Sequence, residues 1–490
     1  MNLATRTIDT RVGTIAEIDG KLIEVQENSS TPTQVLTEKI TLYPSIVHLP
    51  LIDQPADYVY KPTSSSSPIE AYYQQIKSTL HHCYQEKFSQ LETTAAYQQA
   101  KAIYDRMDTR FLKQPDPRAK EDNSASPVQS VVWHPNQDML AVADKEENNV
   151  YIYYKQDHVW SCYVLKHDNM KDITVMEWKQ RSAGTLAVGC KQGVCVWTVP
   201  KVKLLSTEPQ LHPSATMTYL TYPGHHAISA IAWDPTLGSH ALAVGSSNSN
   251  TLVIFDLLLQ RTNALKRYGH GTLLLRWSPD GDWLYETGPS TVSRMWDTKT
   301  WEYKSIRNPS GLYVQAACWA PDNRCLIFSM FNKSDIHILF LGGKDINNLM
   351  DHQLASFPLA DLTTETGEVI KTAGVIRDIA VDQRHGQRLA IAFEHSPLIA
   401  LCMYNLSSPL SLTPQPMLFP IGYIQPTHTL VDPSTGHLLS VSRLTDNLPH
   451  QITFSRHGVH GAVLAILWKN GLITFVTHHY LTKESSKRIL

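Results

Sequence analysis

Charge and long hydrophobic runs are both scarce in this sequence of 490 residues. Charged residues make up 18%, and 43 basic residues nearly cancel 45 acidic ones, which leaves a formal net charge of -2. A chain without a basic surplus cannot neutralise many phosphates, so direct binding to nucleic acid is not expected. The longest apolar runs, 398–404 and 462–468, are seven residues each, whereas a membrane-spanning helix needs about 20. Any membrane association is therefore expected to be indirect.

Cysteine pairs and the familiar catalytic motifs are also missing. The seven cysteines include no Cys-x-x-Cys pair, which is typical of a reduced, intracellular protein. The polar residues 1–14 do not make a signal peptide. The sequence contains no phosphate-binding loop, dinucleotide-binding loop, nucleophile elbow or zinc-protease motif. We therefore expect no enzyme activity, no catalytic residue, no cofactor and no small-molecule substrate.

Histidine is abundant enough to raise the question of a metal site. The 22 histidines include three adjacent pairs, at 81–82, 225–226 and 478–479. Adjacent residues of a strand point to opposite faces, so such a pair does not readily bind one metal ion. His457 and His460 have no cysteine partner at the spacing of zinc ligands. No metal site is expected, and Cys190 and Cys195 are interpreted as small buried apolar residues.

A short repeat organises the middle of the chain. Each copy is an alternating apolar stretch that ends in Trp-x-Pro and a turn residue, the pattern of a half-buried strand stopped by a β-turn. A further copy lacks the proline. The tryptophans of these copies are Trp133, Trp178, Trp233, Trp277 and Trp319. We expect them to lie in the core.

Two or three more apolar segments follow each tryptophan before the next copy begins. Short strands that recur about every 42 to 55 residues are typical of propeller blades, because βαβ units would need helices between the strands. Two degenerate copies, starting near Asp378 and Ile452, bring the count to seven. A competing count treats 428–442 as a blade of its own, and we interpret that stretch as an insertion before the last blade. The fold class predicted is all-β, a seven-bladed WD-repeat β-propeller.

Parts of the Gly-His and Trp-Asp signature of WD repeats are also present. Gly269-His270 precedes Trp296-Asp297 by a blade-like interval. We therefore add His270, Trp296 and Asp297 to the structural residues of the repeat. Most other blades lack part of this signature, so apolar packing is expected to hold them together.

The segments around the repeat suggest five regions. Residues 1–60 contain two strand-like runs joined by Asp19-Gly20, a strong hairpin signal that we expect to complete the propeller. Residues 61–112 form an amphipathic helical region, which begins with a capping box at Ser67. Residues 113–127 are a proline-rich linker, 128–480 the propeller and 481–490 a short tail.

The order of these segments resembles the Aladin family of WD-repeat nucleoporins. The resemblance is carried by 128–342, above all by LLLRWSPDGDWLYETGPSTVSRMWDTKTWEY from Leu273 onward, and it thins after 343. It implies a non-enzymatic scaffold of the nuclear pore complex at the nuclear envelope, supporting nucleocytoplasmic protein import. Its implied partners are other nucleoporins, including a transmembrane nucleoporin as anchor. None of the 11 phenylalanines precedes a glycine, so the chain is not a Phe-Gly barrier nucleoporin.

Other functions of propellers are weighed against this one. A substrate adaptor of a cullin-type ubiquitin ligase usually carries Trp-Asp-x-Arg, whereas this chain has Lys299 at the fourth position. A phosphoinositide-binding autophagy propeller would need a Phe-Arg-Arg-Gly motif, which is absent. A propeller enzyme would need convergent acid, base or metal groups around the central channel. The ubiquitin-ligase adaptor is kept as the alternative.

Overall fold

The fold is built almost entirely from β-strands. A computed structural model describes residues 7–8, 14–18, 21–24, 43–47, 127–156, 159–199, 215–269, 271–341, 349–363, 369–384, 388–405, 417–425, 427–431, 438–443, 447–456 and 461–481. The predicted helical region 61–112, nearly all of the predicted linker 113–127, His270 and the predicted tail after Leu481 lie outside these residues.

Four short strands precede the repeats, and the first four blades follow as four-stranded antiparallel sheets. The early strands are β1 (Thr7–Ile8), β2 (Thr14–Ile18), β3 (Lys21–Glu24) and β4 (Ile46–Val47). Blades one to four are β5 (Val128–Trp133), β6 (Met139–Asp144), β7 (Val150–Gln156) and β8 (Val159–Leu165); β9 (Val175–Trp178), β10 (Thr185–Gly189), β11 (Val194–Thr198) and β12 (Thr216–Leu220); β13 (Ile228–Trp233), β14 (Ala241–Ser246), β15 (Thr251–Asp256) and β16 (Arg261–Lys266); β17 (Leu274–Trp277), β18 (Trp283–Thr287), β19 (Val292–Asp297) and β20 (Tyr303–Arg307).

The remaining three blades carry the insertions and additions of the ring. Their strands, with two intervening hairpins, are β21 (Val314–Trp319), β22 (Cys325–Met330), β23 (Asp335–Leu341) and β24 (Leu349–Ser356); the hairpin β25 (Ala360–Thr363) and β26 (Val369–Thr372); β27 (Ile376–Val381), β28 (Arg388–Phe393), β29 (Ile399–Asn405) and β30 (Met417–Ile424); the hairpin β31 (Thr427–Val431) and β32 (Leu438–Arg443); β33 (Pro449–Phe454), β34 (Gly461–Trp468) and β35 (Leu472–Leu481). A 3-10 turn, Pro309–Gly311, links blades four and five.

The seven-bladed propeller predicted from the sequence is confirmed. Each tryptophan of the repeat ends, as expected, the first and innermost strand of its blade, and Trp233 for example lies opposite Leu242 of the next strand. In the part of the chain that the structure describes, β31 and β32 pair only with each other. The stretch 428–442 is therefore an insertion between blades six and seven.

The N-terminal strands add to the outer edges of the last two blades. β2 runs parallel to β35, with Thr14 opposite Thr477, and β3 pairs antiparallel with β2 beyond it. β1 runs parallel to β30 of blade six, with Thr7 opposite Tyr423. The beginning of the chain therefore supplies the outer strands next to its end, which leaves fewer unpaired strand edges where the ring closes.

A further N-terminal stretch, residues 43–47, fills the seam between blades seven and one. The ring of Tyr43 packs against Trp133 of blade one and Phe475 of blade seven, with centroids 6.3 and 5.9 Å away. Its hydroxyl donates to Asp138 at 2.8 Å, and the Lys155 ammonium lies 4.0 Å from its ring centroid. The segment therefore stabilises the junction through apolar, polar and cation–π contacts together.

The core consists of apolar layers between neighbouring blades. Alternate residues of each inner strand face one adjacent blade or the other, as the period of two requires. Large side chains such as Trp197, Trp233 and Trp468 are almost completely buried in these layers. Burial of side chains of this class contributes about 1.5–3 kcal/mol each, or somewhat more for tryptophan.

Candidate interaction surfaces and central channel

The repeated tryptophans join neighbouring blades as well as filling the core. In three blades the indole N–H donates to a carbonyl oxygen on the innermost strand of the preceding blade. These bonds are Trp178 Nε1 to Val132 at 3.2 Å, Trp233 Nε1 to Glu177 at 3.1 Å and Trp319 Nε1 to Arg276 at 2.9 Å. Trp277 differs, because its indole donates to Gly281 of its own turn at 3.0 Å. Tryptophan is thus used where an apolar ring and a hydrogen-bond donor are both required.

A fully buried polar network stabilises blade four. Trp296 Nε1 donates to Glu286 Oε2 at 2.9 Å, and the Thr272 hydroxyl donates to Glu286 Oε1 at 2.7 Å. Arg267 forms a buried ion pair with Glu286 and donates to Thr272 at 2.8 Å. Glu286 therefore receives three donors, which offsets the cost of burying its charge.

The structure places the predicted signature residues of this blade in different roles. Trp296 belongs to the buried network, whereas Asp297 accepts the backbone N–H of Lys299 at 2.8 Å and holds the turn after its strand. Glu286 and Arg267 were not expected from the sequence. The sequence signal that could have found Glu286 is a single charged residue within the segment WLYET, which forms the fully buried strand β18.

The innermost strands of all seven blades surround a central channel with a cavity of about 310 Å³. Four charged side chains line it, one each from blades two, four, six and seven: Glu177, Arg276, Asp378 and Arg456. Most of the lining is apolar or uncharged. The volume of the cavity lies at the lower end of the range that is usual for small-molecule sites, about 300 to 1,000 Å³.

Two of the charged groups in the channel are bonded to backbone. Asp378 accepts the backbone N–H of Ile452 on the next blade and that of Ile379, both at 2.9 Å. Arg276 Nε donates to the carbonyl of Ala317 on the next blade at 2.9 Å. Burial raises the pKa of Asp378 to about 6, against the effect of these hydrogen bonds. Both side chains thus tie one inner strand to the next.

Glu177 and Arg456, the other two charged residues of the channel, are both shielded from solvent. Burial raises the pKa of Glu177 to about 7, although the positive charges of Arg276 and Arg456 oppose the shift. Burial lowers the pKa of Arg456, and the charge of Glu177 opposes that shift. The two groups therefore interact through the channel, and desolvation has the larger effect on each.

One face of the ring carries an exposed apolar loop pair on blade three. Strands alternate in direction, so the β13–β14 and β15–β16 loops lie at the same end of the blade. Leu237 in the first loop is 77% exposed, and Leu258 and Leu259 in the second are 67% and 58% exposed. Leu257 N donates to the carbonyl of His240 at 3.1 Å, which joins the two loops. Clustered exposed leucines are typical of protein-binding surfaces.

The opposite face carries the two additional hairpins. β25–β26 connects blades five and six, and β31–β32 connects blades six and seven, so both emerge beside blade six. Leu359 and Val369 of the first hairpin region are 55% and 62% exposed. These insertions enlarge the surface of the ring without altering the sheets that close it.

The described residues include no group of three or more His, Cys, Asp or Glu side chains able to hold a metal ion. Across the same described part of the chain, no helix has the length and apolar character needed to cross a membrane.

Comparison with known proteins assigns the ring to a family. The family model described as "Aladin seven-bladed propeller" matches residues 118–479. Aladin of Arabidopsis thaliana is 24% identical over 283 residues, which cover 54% of this chain and 61% of that protein. The chain thus spans about three fifths of that relative's length.

More distant similarity extends to another class of protein. The protein transport protein SEC31 of Phaeosphaeria nodorum is 23% identical over 184 residues, 37% of this chain and 13% of that protein. The corresponding sec31 of Emericella nidulans is 24% identical over 189 residues, 37% of this chain and 14% of its own length. These matches cover a small part of each relative, whereas the family model covers the whole ring. The chain belongs to the Aladin seven-bladed propeller family.

Proposed function

We propose that this protein is a non-enzymatic scaffold subunit of the nuclear pore complex, held at the nuclear envelope by a transmembrane nucleoporin and supporting protein import. The observation that carries the proposal is the match of the Aladin family model over 118–479. The import role and the transmembrane anchor are the parts of the proposal that the family resemblance in 128–342 implies.

The geometry supports a scaffold in two ways. Asp378 and Arg276, which face the channel, bond to backbone groups of neighbouring blades, so these polar groups hold the ring together. Both outer faces, in contrast, present exposed apolar residues, on the blade-three loops and on the β25–β26 hairpin. A rigid ring with apolar groups on both faces suits simultaneous contact with two partners.

Imaging of a fluorescently tagged full chain tests the proposal. We expect a nuclear rim signal that is lost when the transmembrane nucleoporin is depleted and that returns on its re-expression. A second chain carries Leu258→Asp and Leu259→Asp, which should leave the ring folded because both side chains are exposed, and should weaken the rim signal because they belong to the candidate docking face. Rim staining that persists after depletion would reject the anchor, and its absence from normal cells would reject the pore assignment.

The alternative is a substrate adaptor of a ubiquitin ligase. Trp296-Asp297 is present, but Lys299 stands where such adaptors usually have arginine. Co-purification of a cullin with the tagged chain, at the abundance of the chain itself, would favour this alternative over the pore.

A further inference from the structure

A second cavity lies at one mouth of the central channel. Its volume is about 270 Å³, and it opens where the innermost strands turn outward. The residues that line it are Gln180, Arg181, Pro279, Pro321, Gln383, Arg384 and Arg456. Four of these also line the channel below, so the mouth and channel are continuous.

The lining follows from the repeat itself. In each blade, the second residue after the end of the innermost strand lies at the mouth. This position corresponds to the proline of the Trp-x-Pro motif. Pro279 and Pro321 keep the motif, whereas glutamine occupies this position in blades two and six. Blade seven has Arg456 there. The degenerate copies of the repeat therefore place polar side chains in a collar that is otherwise proline.

Positive charge converges on this cavity from three blades. Arg181 follows β9 of blade two, Arg384 follows β27 of blade six, and Arg456 follows β33 of blade seven. None of the described lining residues carries a carboxylate. The carboxyl group of Glu177 in the channel interacts with Arg456, and burial raises the pKa of that carboxyl to about 7. Near neutral pH, Glu177 thus offsets only part of the arginine charge.

Acidic residues in the adjoining turns are bonded within their own loops. Asp280 accepts the hydroxyl of Ser278 at 2.5 Å and the backbone N–H of Asp282 at 3.1 Å. Asp382 is fully buried and accepts the backbone N–H of Arg384 at 3.0 Å. These carboxylates stabilise turns and reduce, without cancelling, the positive character of the mouth.

We propose that this mouth binds a compact polyphosphate that is free in solution, of the size of a phosphorylated inositol. Three guanidinium groups approaching from different directions suit a ligand with several phosphates around a small core, because each arginine can engage one phosphate with two hydrogen bonds. The Gln180 amide can donate to further phosphate oxygens, and the Gln383 amide nitrogen, which donates one hydrogen to the Trp319 carbonyl at 2.6 Å, keeps a second hydrogen for a phosphate. A compact cavity of about 270 Å³ suits a small, densely charged group better than an extended peptide, and part of a large inositol phosphate would lie outside it. The site goes beyond the scaffold function, and its failure would leave that function standing.

Calorimetric titration of the full chain with inositol hexakisphosphate at about 150 mM salt tests the site. We expect saturable binding with one ligand per chain. Arg456→Gln should weaken it by about tenfold to a hundredfold, and the exposed variant Arg181→Gln by about tenfold. Arg307→Gln, on the outermost strand of blade four, is the matched control and should bind like the wild type.

Three further probes separate the possible sources of the ligand. Inorganic phosphate should bind far more weakly than inositol hexakisphosphate, and a glutamate-rich peptide should not compete with it. Vesicles containing phosphatidylinositol bisphosphate should not retain the chain. Equal binding by wild type and both arginine variants, tighter binding of the peptide, or vesicle retention without binding of the soluble probe would each overturn the proposal.

Discussion

Gln451 of blade seven and Val131 of blade one are joined by two hydrogen bonds. The Gln451 side-chain oxygen accepts the Val131 N–H at 2.9 Å, and its side-chain nitrogen donates to the Val131 carbonyl at 3.1 Å. An amide side chain thus imitates the backbone of a pairing strand. It does so where the first and last blades meet, and the Tyr43 segment and strand β2 reinforce the same closure further out.

Replacing Gln451 should weaken this inner seam. Gln451→Ala leaves both backbone groups of Val131 without this partner, and we expect a loss of about 1–3 kcal/mol in the free energy of unfolding. Urea denaturation measures it. Gln315→Ala is the control, because among the described residues the side-chain amide of Gln315 makes a single hydrogen bond, of 3.3 Å, to Glu394. Equal, small effects of the two substitutions would show that the seam does not depend on Gln451.

The inter-blade role of the tryptophans is separable from their packing. Trp233→Phe keeps an aromatic ring but removes the donor to Glu177 O, so we expect a loss of about 1–3 kcal/mol from the unpaired carbonyl, plus a packing cost. Trp277→Phe removes a hydrogen bond within one turn, and the ring of Trp277 is less buried than that of Trp233. We therefore expect a smaller loss in the free energy of unfolding. Thermal unfolding of both variants is the measurement. A larger loss for Trp277→Phe would contradict the inter-blade role.

Glu177 and His450 should give stability profiles of opposite sign. The Glu177 pKa is raised from 4.5 to about 7, so the folded state binds its proton more tightly, and stability should fall as the pH rises between these values. Burial, followed by Arg377, lowers the His450 pKa from 6.5 to about 4, so stability should fall as the pH drops between those values. Arg377 also donates to Nδ1 of His450 at 2.7 Å, which requires an unprotonated nitrogen there.

Variants at these two positions isolate each contribution. Glu177→Gln should remove the decline towards neutral pH, and His450→Gln should remove the decline on the acid side. Urea midpoints measured every half unit from about pH 4 to 8 give both slopes. If the stability profiles of both variants run parallel to that of the wild type, the pKa of each group is the same in the folded and unfolded states.

Closure by the N-terminal strands is tested by truncation. Removing residues 1–30 deletes β1, β2 and β3, which exposes the outer edges of β30 and β35. We expect a lower urea midpoint and a greater tendency to aggregate through the unpaired edges. Removing residues 482–490, beyond the end of β35, is the control and should leave the midpoint unchanged. An unchanged midpoint after the first deletion would refute closure by this segment.

Sequence reasoning anticipated the ring because its signals are local. Trp-x-Pro combines a strand end with a turn, and alternation in segments such as Ile228–Trp233 marks one blade after another. The Asp19-Gly20 hairpin signal coincides with the antiparallel pair β2–β3, whose strands end at Ile18 and begin at Lys21.

Most of the missed features depend on contacts between residues far apart in sequence. Gln451 and Val131 are 320 positions apart, and Tyr43 meets Asp138 across 95. The parallel direction of β2 against β35 likewise pairs residues more than 450 positions apart. The partner of Trp296 was missed for a different reason, because Glu286 is not part of the Gly-His and Trp-Asp signature on which the prediction rested.

Affinity purification of the tagged full chain from nuclear envelopes, read by quantitative mass spectrometry, tests the central claim most directly. We predict that nuclear pore subunits co-purify with the chain, with a transmembrane nucleoporin among the most enriched. The Leu258→Asp, Leu259→Asp variant should recover less of them, because it alters the exposed apolar loops of blade three. Recovery of cullin-ligase subunits without pore subunits would contradict the assignment.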